Sequence, residues 1–194
     1  MIQPHSSEPT QRLFFALWPG EEGREALAHA TAQAVRHSGG RAVPAANLHV
    51  TLAFLGSVLQ RRVPQVKQLG TRAAADRPQQ RPLELRFESL AHWPRQQILC
   101  AVAVEENPIA VALAAALKDA AAASGFTPDL KPFRAHVTLA RKVAHAPREC
   151  ALREILWRFD GFALIDSRTE TGGPVYSVLE SYPLVKAESA RESA

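Results

Sequence analysis

The chain has 194 residues, of which 46% are hydrophobic and 22% charged, and this composition excludes a disordered protein. A net charge of +4 and a pI of about 9.4 permit a polyanionic partner without establishing one. No stretch approaches the roughly 20 apolar residues of a membrane helix, and the first residues lack the apolar run of a signal peptide. A cytoplasmic protein without membrane association is therefore expected.

Apolar periodicity, turn residues and helix caps predict elements in both halves of the chain. In the first half they predict a flexible tail at 1–11, strands at 12–18, 47–56, 83–90 and 98–104, and helices at 21–38 and 63–75. In the second half they predict helices at 107–124 and 149–157, strands at 133–141, 162–166 and 175–184, and a flexible tail at 187–194.

One pentapeptide, His-Val-Thr-Leu-Ala, occurs twice, beginning at His49 and again at His136. Its β-branched and aliphatic residues predict a strand, in which the His and the Thr point to one face while the Val and the Leu point to the other. Core packing accounts for the Val and the Leu. It does not account for two polar groups that share a face, because a buried imidazole needs hydrogen-bond partners. The repeat therefore predicts one site that also includes Thr51 and Thr138.

The two motifs also lie in similar surroundings, because the order helix, motif strand, helix and then two strands is predicted in both halves. This order predicts a duplicated α+β unit with a pseudo-two-fold axis. Alternating strands and helices also occur in parallel α/β sheets, but the short connections between neighbouring strands favour antiparallel pairing.

The paired motifs resemble the signature of the 2H phosphoesterase superfamily, which is named for two His-x-Thr-x motifs. The resemblance is to the RNA 2′,3′-cyclic phosphodiesterases in particular, the LigT-like proteins once called 2′-5′ RNA ligases. It extends over the segments 12–19, 47–56 and 133–141 and over the Gly-Gly-Pro-Val-Tyr-Ser-Val-Leu segment near the end. Ala135 departs from the family pattern, where proline is frequent. The resemblance implies one bilobal domain over 12–186, with two mainly antiparallel sheets facing a central cleft and helices outside.

The resemblance also implies a reaction, the hydrolysis of 2′,3′-cyclic phosphate ends of RNA or nucleotides to 2′-phosphates, together with a reversible 2′-5′ RNA ligation as a second activity of the family. No cofactor or metal is expected. A histidine pKa of about 6.5 lets one imidazole accept a proton from water while the other protonates the leaving oxygen. The resemblance assigns His49 as the acid and His136 as the base. Thr51 and Thr138 are expected to donate hydrogen bonds to the phosphate oxygens.

Two further residues enter by resemblance, Arg141 as a phosphate ligand and Phe54 as a stacking surface for the terminal base. Each lies five positions after its histidine. In an ideal strand both side chains would therefore point to the opposite face, and a bulge or the end of the strand is needed to return them. A core Phe54 and a solvated Arg141 are the alternatives.

Three other interpretations stay open. A metallohydrolase with His49 and His136 as ligands requires a third ligand, and neither motif holds Asp, Glu or Cys at useful spacing. A non-catalytic RNA-binding module fits the basic charge, but no RNP, KH or zinc-knuckle pattern occurs. Within the superfamily, small cyclic nucleotides or ADP-ribose cyclic phosphate could be the substrate. A monomer without an obligate protein partner is expected, and Cys100 and Cys150 are predicted to be buried free thiols, with one disulfide as the alternative.

Overall fold

A computed structural model describes residues 8–76, 82–129, 131–148, 150–171 and 173–185. Of the predicted tails at 1–11 and 187–194, residues 1–7 and 187–194 lie outside the described residues, and the first strand begins at Thr10, two residues before the predicted boundary at residue 12. Within the described residues the α-helices are α1 (Glu21–His37), α2 (Val63–Ala75) and α3 (Pro108–Ala123). The strands are β1 (Thr10–Leu17), β2 (Arg41–Ala42), β3 (Val50–Leu59), β4 (Leu83–Trp93), β5 (Ile98–Ala103), β6 (His136–Arg141), β7 (Ala151–Phe159), β8 (Gly161–Glu170) and β9 (Gly173–Pro183).

All strand pairs are antiparallel and form one sheet in the order β7-β4-β5-β6-β3-β1-β8-β9, with β2 paired to β6. The two motif strands, β3 and β6, meet at the centre through one residue pair, Val50 and Val137. We call this junction the seam. It divides the sheet into a first half (β3, β1, β8, β9) and a second half (β6, β5, β4, β7). The predicted α+β class with antiparallel lobes is confirmed, and the two lobes are halves of one curled sheet.

The two faces of the sheet differ in what covers them. Leu13 and Phe15 of β1 join the main core, which also holds the buried apolar residues of all three helices. The intervening Phe14 and Ala16 point the other way and join a smaller cluster with β8 residues, because side chains alternate along a strand. We call this second face the cleft face. No helix of the described residues is long and apolar enough to cross a membrane.

The helix predicted at 149–157 is wrong, because Ala151–Phe159 forms strand β7. Ala, Leu, Glu and Arg favour a helix locally, but β7 pairs along the whole first part of β4. Trp157 secures this arrangement, since its ring packs against Phe87 with centroids 5.1 Å apart and its Nε1–H donates to the Gly23 carbonyl at 2.9 Å. Tertiary pairing has overridden local propensity here.

Both cysteines are free, but only Cys100 is buried, while Cys150 is exposed. The prediction of a buried thiol is thus confirmed for Cys100 and wrong for Cys150. The difference follows from position, since Cys100 lies in a central strand and Cys150 precedes the edge strand β7.

Candidate active site

The two motif histidines lie at the seam. His49 directly precedes β3, and His136 is the first residue of β6. The valines that follow them are fully buried in the main core, and they form the pair that joins the two halves. Because neighbouring side chains point to opposite faces, the buried valines direct both imidazoles to the cleft face. The structure therefore brings together the two motifs that the sequence predicted to form one site.

Both imidazoles are held in the same way. The Nδ1 of His49 lies 2.7 Å from the Asn47 carbonyl, and the Nδ1 of His136 lies 2.8 Å from the Arg134 carbonyl. A carbonyl oxygen only accepts hydrogen bonds, so Nδ1 carries the hydrogen and donates it. In each neutral ring the lone pair is then on Nε2, which is the atom available for proton transfer.

A β-bulge follows the threonine of each motif. In β3 the extra residue is Leu52, and in β6 it is Leu139. An extra residue shifts the alternation by one, so the side chains beyond the bulge change faces. Phe54 and Arg141 consequently return to the cleft face, which is the condition that their predicted roles required.

A cavity of about 320 Å³ opens beside His49, and we call it the catalytic cavity. Four of the six predicted residues line it, namely His49, Thr51, Phe54 and Arg141. His136 and Thr138 lie across the seam, outside this lining. Sequence reasoning missed the remaining polar and aromatic walls, which are Arg12, Phe14, Ser167, Thr169 and Tyr176. The lining residues include two arginines and four hydroxyl groups but no carboxylate, so the cavity suits an anion.

Three aromatic rings enclose His49. Trp18 stacks on its imidazole with ring centroids 5.5 Å apart, and the centroids of Phe14 and Tyr176 lie 4.9 and 5.4 Å away. Burial lowers the pKa of His49 to about 4, and the positive charges of Arg141 and His136 act in the same direction. The hydrogen bond to the Asn47 carbonyl opposes this shift because it stabilises the protonated ring.

His136 has a more open environment. Trp93 lies over its ring with centroids 4.5 Å apart. Burial lowers the pKa of His136 as well, the Arg134 carbonyl opposes the shift, and the charge of Arg134 adds to it. The lowering is larger at His49. Both histidines are therefore mostly neutral at pH 7 in the free protein, and His136 takes up a proton more easily than His49.

A sequence model of the 2′-5′ RNA ligase superfamily matches residues 24–171 of this chain. The chain belongs to this superfamily. A Thermus thermophilus protein named RNA 2′,3′-cyclic phosphodiesterase is 34% identical over an alignment of 194 positions, gaps included, which covers 94% of each chain. An Escherichia coli protein of the same name is 35% identical over 140 residues, covering 72% of this chain and 76% of the relative.

Solved structures agree with this assignment of a 2′-5′ RNA ligase superfamily fold. A crystal structure of a phosphoesterase superposes with a TM-score of 0.82 at 29% identity, covering 92% of this chain and 100% of the other. E. coli LigT complexed with 3′-AMP superposes with a TM-score of 0.81 at 29% identity, covering 91% and 99%. The family resemblance and the fold that it implied are confirmed.

Asn47 positions the His49 imidazole, a role that sequence reasoning missed. Its buried side chain donates from Nδ2 to the Pro174 carbonyl at 2.7 Å, while its own carbonyl accepts from His49. Asn47 therefore ties the His49 imidazole to the start of β9. The sequence signal is a polar residue two positions before the histidine, which is the position that Arg134 occupies in the second motif.

The metallohydrolase alternative requires a cluster of ligands around the histidines. Among the described residues, no group of three or more His, Cys, Asp or Glu side chains is arranged to hold a metal ion. A zinc site built on His49 and His136 would thus lack the third protein ligand that such sites use.

Proposed function

We propose that this superfamily member hydrolyses 2′,3′-cyclic phosphate ends of RNA or nucleotides to 2′-phosphates, with His49 and His136 dividing the acid and base roles. The observation that carries the proposal is the pair of Nδ1-tethered imidazoles at the seam, beside a carboxylate-free cavity that Arg141 enters. Two relatives at 34% and 35% identity bear the name of this activity.

The cyclic phosphate is an anion, and its ring opens when water attacks opposite the departing oxygen. Arg141 and the hydroxyls of Thr51 and Thr138 would stabilise the charge that grows on the phosphate oxygens. One neutral imidazole accepts the proton of the water, and the other, protonated, donates to the leaving oxygen. Each of these proton transfers contributes about 10²–10⁴-fold to the rate.

The family resemblance makes His49 the acid, whereas the environment of the free protein disfavours its protonation. The pKa of His49 is lowered to about 4, so under this assignment the bound phosphate must raise it. A negative charge near Nε2 acts in that direction. The Thr51 hydroxyl, whose Oγ1 lies 3.1 Å from Nε2, can donate a hydrogen bond to the neutral ring or accept one from the protonated ring. The free protein by itself favours the reverse assignment.

Phe54 is proposed as the surface on which the terminal base stacks. Its ring is half-buried and lines the catalytic cavity, so part of the ring surface is accessible to a ligand beside the Arg12 guanidinium, whose carbon lies 5.0 Å from the ring centroid. Base stacking on an aromatic side chain contributes about 1–3 kcal/mol and tolerates every base.

Two further expectations accompany the proposal, a cytoplasmic location and a monomeric state. Both cysteines are free thiols, which agrees with a reducing compartment such as the cytoplasm. The monomeric state stays a prediction, and light scattering of the purified protein checks it.

The test is an assay on a short RNA that ends in a 2′,3′-cyclic phosphate, with the product end identified. We expect a 2′-phosphate product and an unchanged rate in excess chelator. A loss under chelation that one metal restores would favour the metallohydrolase, and binding without turnover would favour the RNA-binding module. Parallel assays on small cyclic nucleotides and ADP-ribose cyclic phosphate rank the substrates by kcat/KM.

A further inference from the structure

Arg12 is a cation in the catalytic cavity that none of the proposed catalytic roles uses. It lies on β1, opposite Ser57 of β3, and two residues before Phe14, whose ring contacts His49. Strand rise places the Arg12 Cα about 6–7 Å farther from the catalytic end than that of Phe14. The guanidinium carbon lies 5.0 Å from the centroid of the Phe54 ring, so Arg12 marks the far side of the proposed base site.

The charge of Arg12 is not neutralised by the carboxylates nearby. Glu8 forms an ion pair with Arg61, and the buried Asp166 forms one with Arg168 at 2.9 Å. Within the described part of the chain, Arg12 pairs with no carboxylate, and its guanidinium makes a cation–π contact with Phe54. This contact holds the guanidinium in place while leaving its donors available.

A second cavity of about 320 Å³ shares part of its lining with the catalytic cavity, and we call it the outer cavity. The two cavities share Arg12, Ser167 and Thr169. The outer cavity adds Arg168 and Asp166, whose charges cancel, so the shared wall remains positive. Arg12 therefore lies where the two cavities adjoin, farther along β1 from His49 than Phe14.

We propose that Arg12, with the hydroxyls of Ser167 and Thr169, binds the internucleotide phosphate that precedes the terminal nucleotide. This inference rests on the proposed function, which places the cyclic phosphate at the histidines and the terminal base on Phe54. The next anion along an RNA strand is the phosphodiester on the 5′ side, and Arg12 is the second cation that lines the catalytic cavity, besides Arg141. Arginine and hydroxyl donors suit phosphate oxygens. The site accordingly selects oligonucleotide ends over cyclic mononucleotides.

The experiment compares kcat/KM for three substrates. They are a 2′,3′-cyclic mononucleotide with a free 5′-hydroxyl, a dinucleotide ending in the same cyclic nucleotide, and this dinucleotide with an uncharged methylphosphonate linkage. A charged hydrogen bond corresponds to about 10- to 100-fold, so the wild type is expected to prefer the dinucleotide by that factor. The methylphosphonate is expected to lose most of the preference.

The variant Arg12→Gln is expected to reduce the ratio of dinucleotide to mononucleotide kcat/KM about tenfold or more, whereas Arg12→Lys retains most of it. The salt dependence of dinucleotide binding should also become shallower by about 0.7 in log–log slope. Arg72→Gln, which removes the same charge from the exposed side of α2, is the matched control and should leave the ratio unchanged. Thermal unfolding verifies that each variant is folded.

The inference is overturned if Arg12→Gln lowers kcat/KM equally for both natural substrates, or if the methylphosphonate is as good a substrate as the phosphodiester. Binding of product-like ligands that end in a 2′-phosphate separates this failure from that of the proposed function. If the wild type hydrolyses no substrate but still binds the dinucleotide in an Arg12-dependent manner, the proposed function fails while the phosphate subsite stands.

Discussion

The His49 half and the His136 half of the site have the same backbone conformation and differ in the side chains around the histidine. Both have the same pentapeptide, a bulge after the threonine and an Nδ1–H donated to the carbonyl two residues earlier. Five positions after the histidine, however, the first half has Phe54 and the second has Arg141. Three aromatic rings enclose His49, whereas His136 contacts Trp93.

This difference shows how two copies of one motif can take different roles. The shared backbone places equivalent groups at equivalent positions, which is sufficient for two proton-transferring imidazoles. The side chains then divide the remaining tasks, because Phe54 offers a stacking surface on one side and Arg141 supplies charge from the other. The predictions below test where the two halves are equivalent and where they are not.

The largest effects are expected where the halves are equivalent. His49→Ala and His136→Ala should each nearly abolish turnover, since each removes a proton-transfer group worth about 10²–10⁴-fold. Thr51→Val and Thr138→Val should leave measurable activity, because losing a hydroxyl donor costs at most about 2–4 kcal/mol. Steady-state assays on folded variants check the order. A histidine variant with the wild-type rate would refute the assignment.

The second prediction separates the acid from the base. A phosphodiester with a strongly acidic leaving group needs no proton from the enzyme, so replacing the acid is tolerated while replacing the base is not. Under the direction implied by the resemblance, His49→Ala retains substantial activity on this substrate and His136→Ala does not. Rescue of His136→Ala instead reverses the direction, and rescue of neither variant argues against the division.

The third prediction concerns the two positions where the halves differ. Arg141→Ala should lower kcat/KM for every substrate, by a factor that corresponds to about 1.5–3 kcal/mol of transition-state stabilisation, because it removes a charged hydrogen bond to the phosphate. Phe54→Ala should lose about 1–3 kcal/mol of substrate binding energy, seen mainly as a higher KM, and only where the substrate has a base. A cyclic ribose phosphate without a base is the control. Equal losses on this control and on a nucleotide would argue against stacking at Phe54.

The fourth prediction concerns the unequal pKa values. His49 titrates at about 4 in the folded protein and near 6.5 when unfolded. The unfolded chain therefore binds more protons between these values, and stability falls as the pH drops through this window, by at most about 1.4 kcal/mol per pH unit for one proton. Urea unfolding at several pH values should show that the free energy of unfolding falls less steeply with decreasing pH in His49→Gln than in the wild type. The same change in slope should be smaller in His136→Gln.

A companion NMR titration tests the same asymmetry with a ligand present. Inorganic phosphate should raise the pKa of His49 if this residue is the acid. An unshifted His49 beside a raised His136 would contradict that assignment.

The smallest effect is expected at Cys100. This residue is opposite Thr138, as Ala16 is opposite Thr51, so the first half already has alanine at the equivalent position. Burial raises the pKa of the Cys100 thiol to about 12, which makes it a poor nucleophile. Cys100→Ala should therefore keep activity and lose only about 1 kcal/mol of stability, and alkylation should modify the exposed Cys150 first. A large loss of kcat in a folded Cys100→Ala variant would contradict this view.

Much of the local structure was determined by the sequence alone. The predicted bounds of α2 agree with the structure, and Asn107 caps α3, with its Oδ1 accepting from the backbone N–H of Ile109 and Ala110 at 2.9 and 3.1 Å. These features depend on residues within one or two turns of each other. The repeated pentapeptide likewise identified both motif strands, because alternation along a strand is a local property.

Only the tertiary structure decided how these pieces combine into a site. The bulges at Leu52 and Leu139 are properties of strand pairs, and neither strand shows them by itself. The same holds for β7, where pairing with β4 prevailed over a helical pattern, and for Arg12, which reaches the cavity because β1 lies between β3 and β8. Sequence patterns report local conformational preference, whereas the register and order of strands depend on contacts between distant residues, which no local pattern encodes.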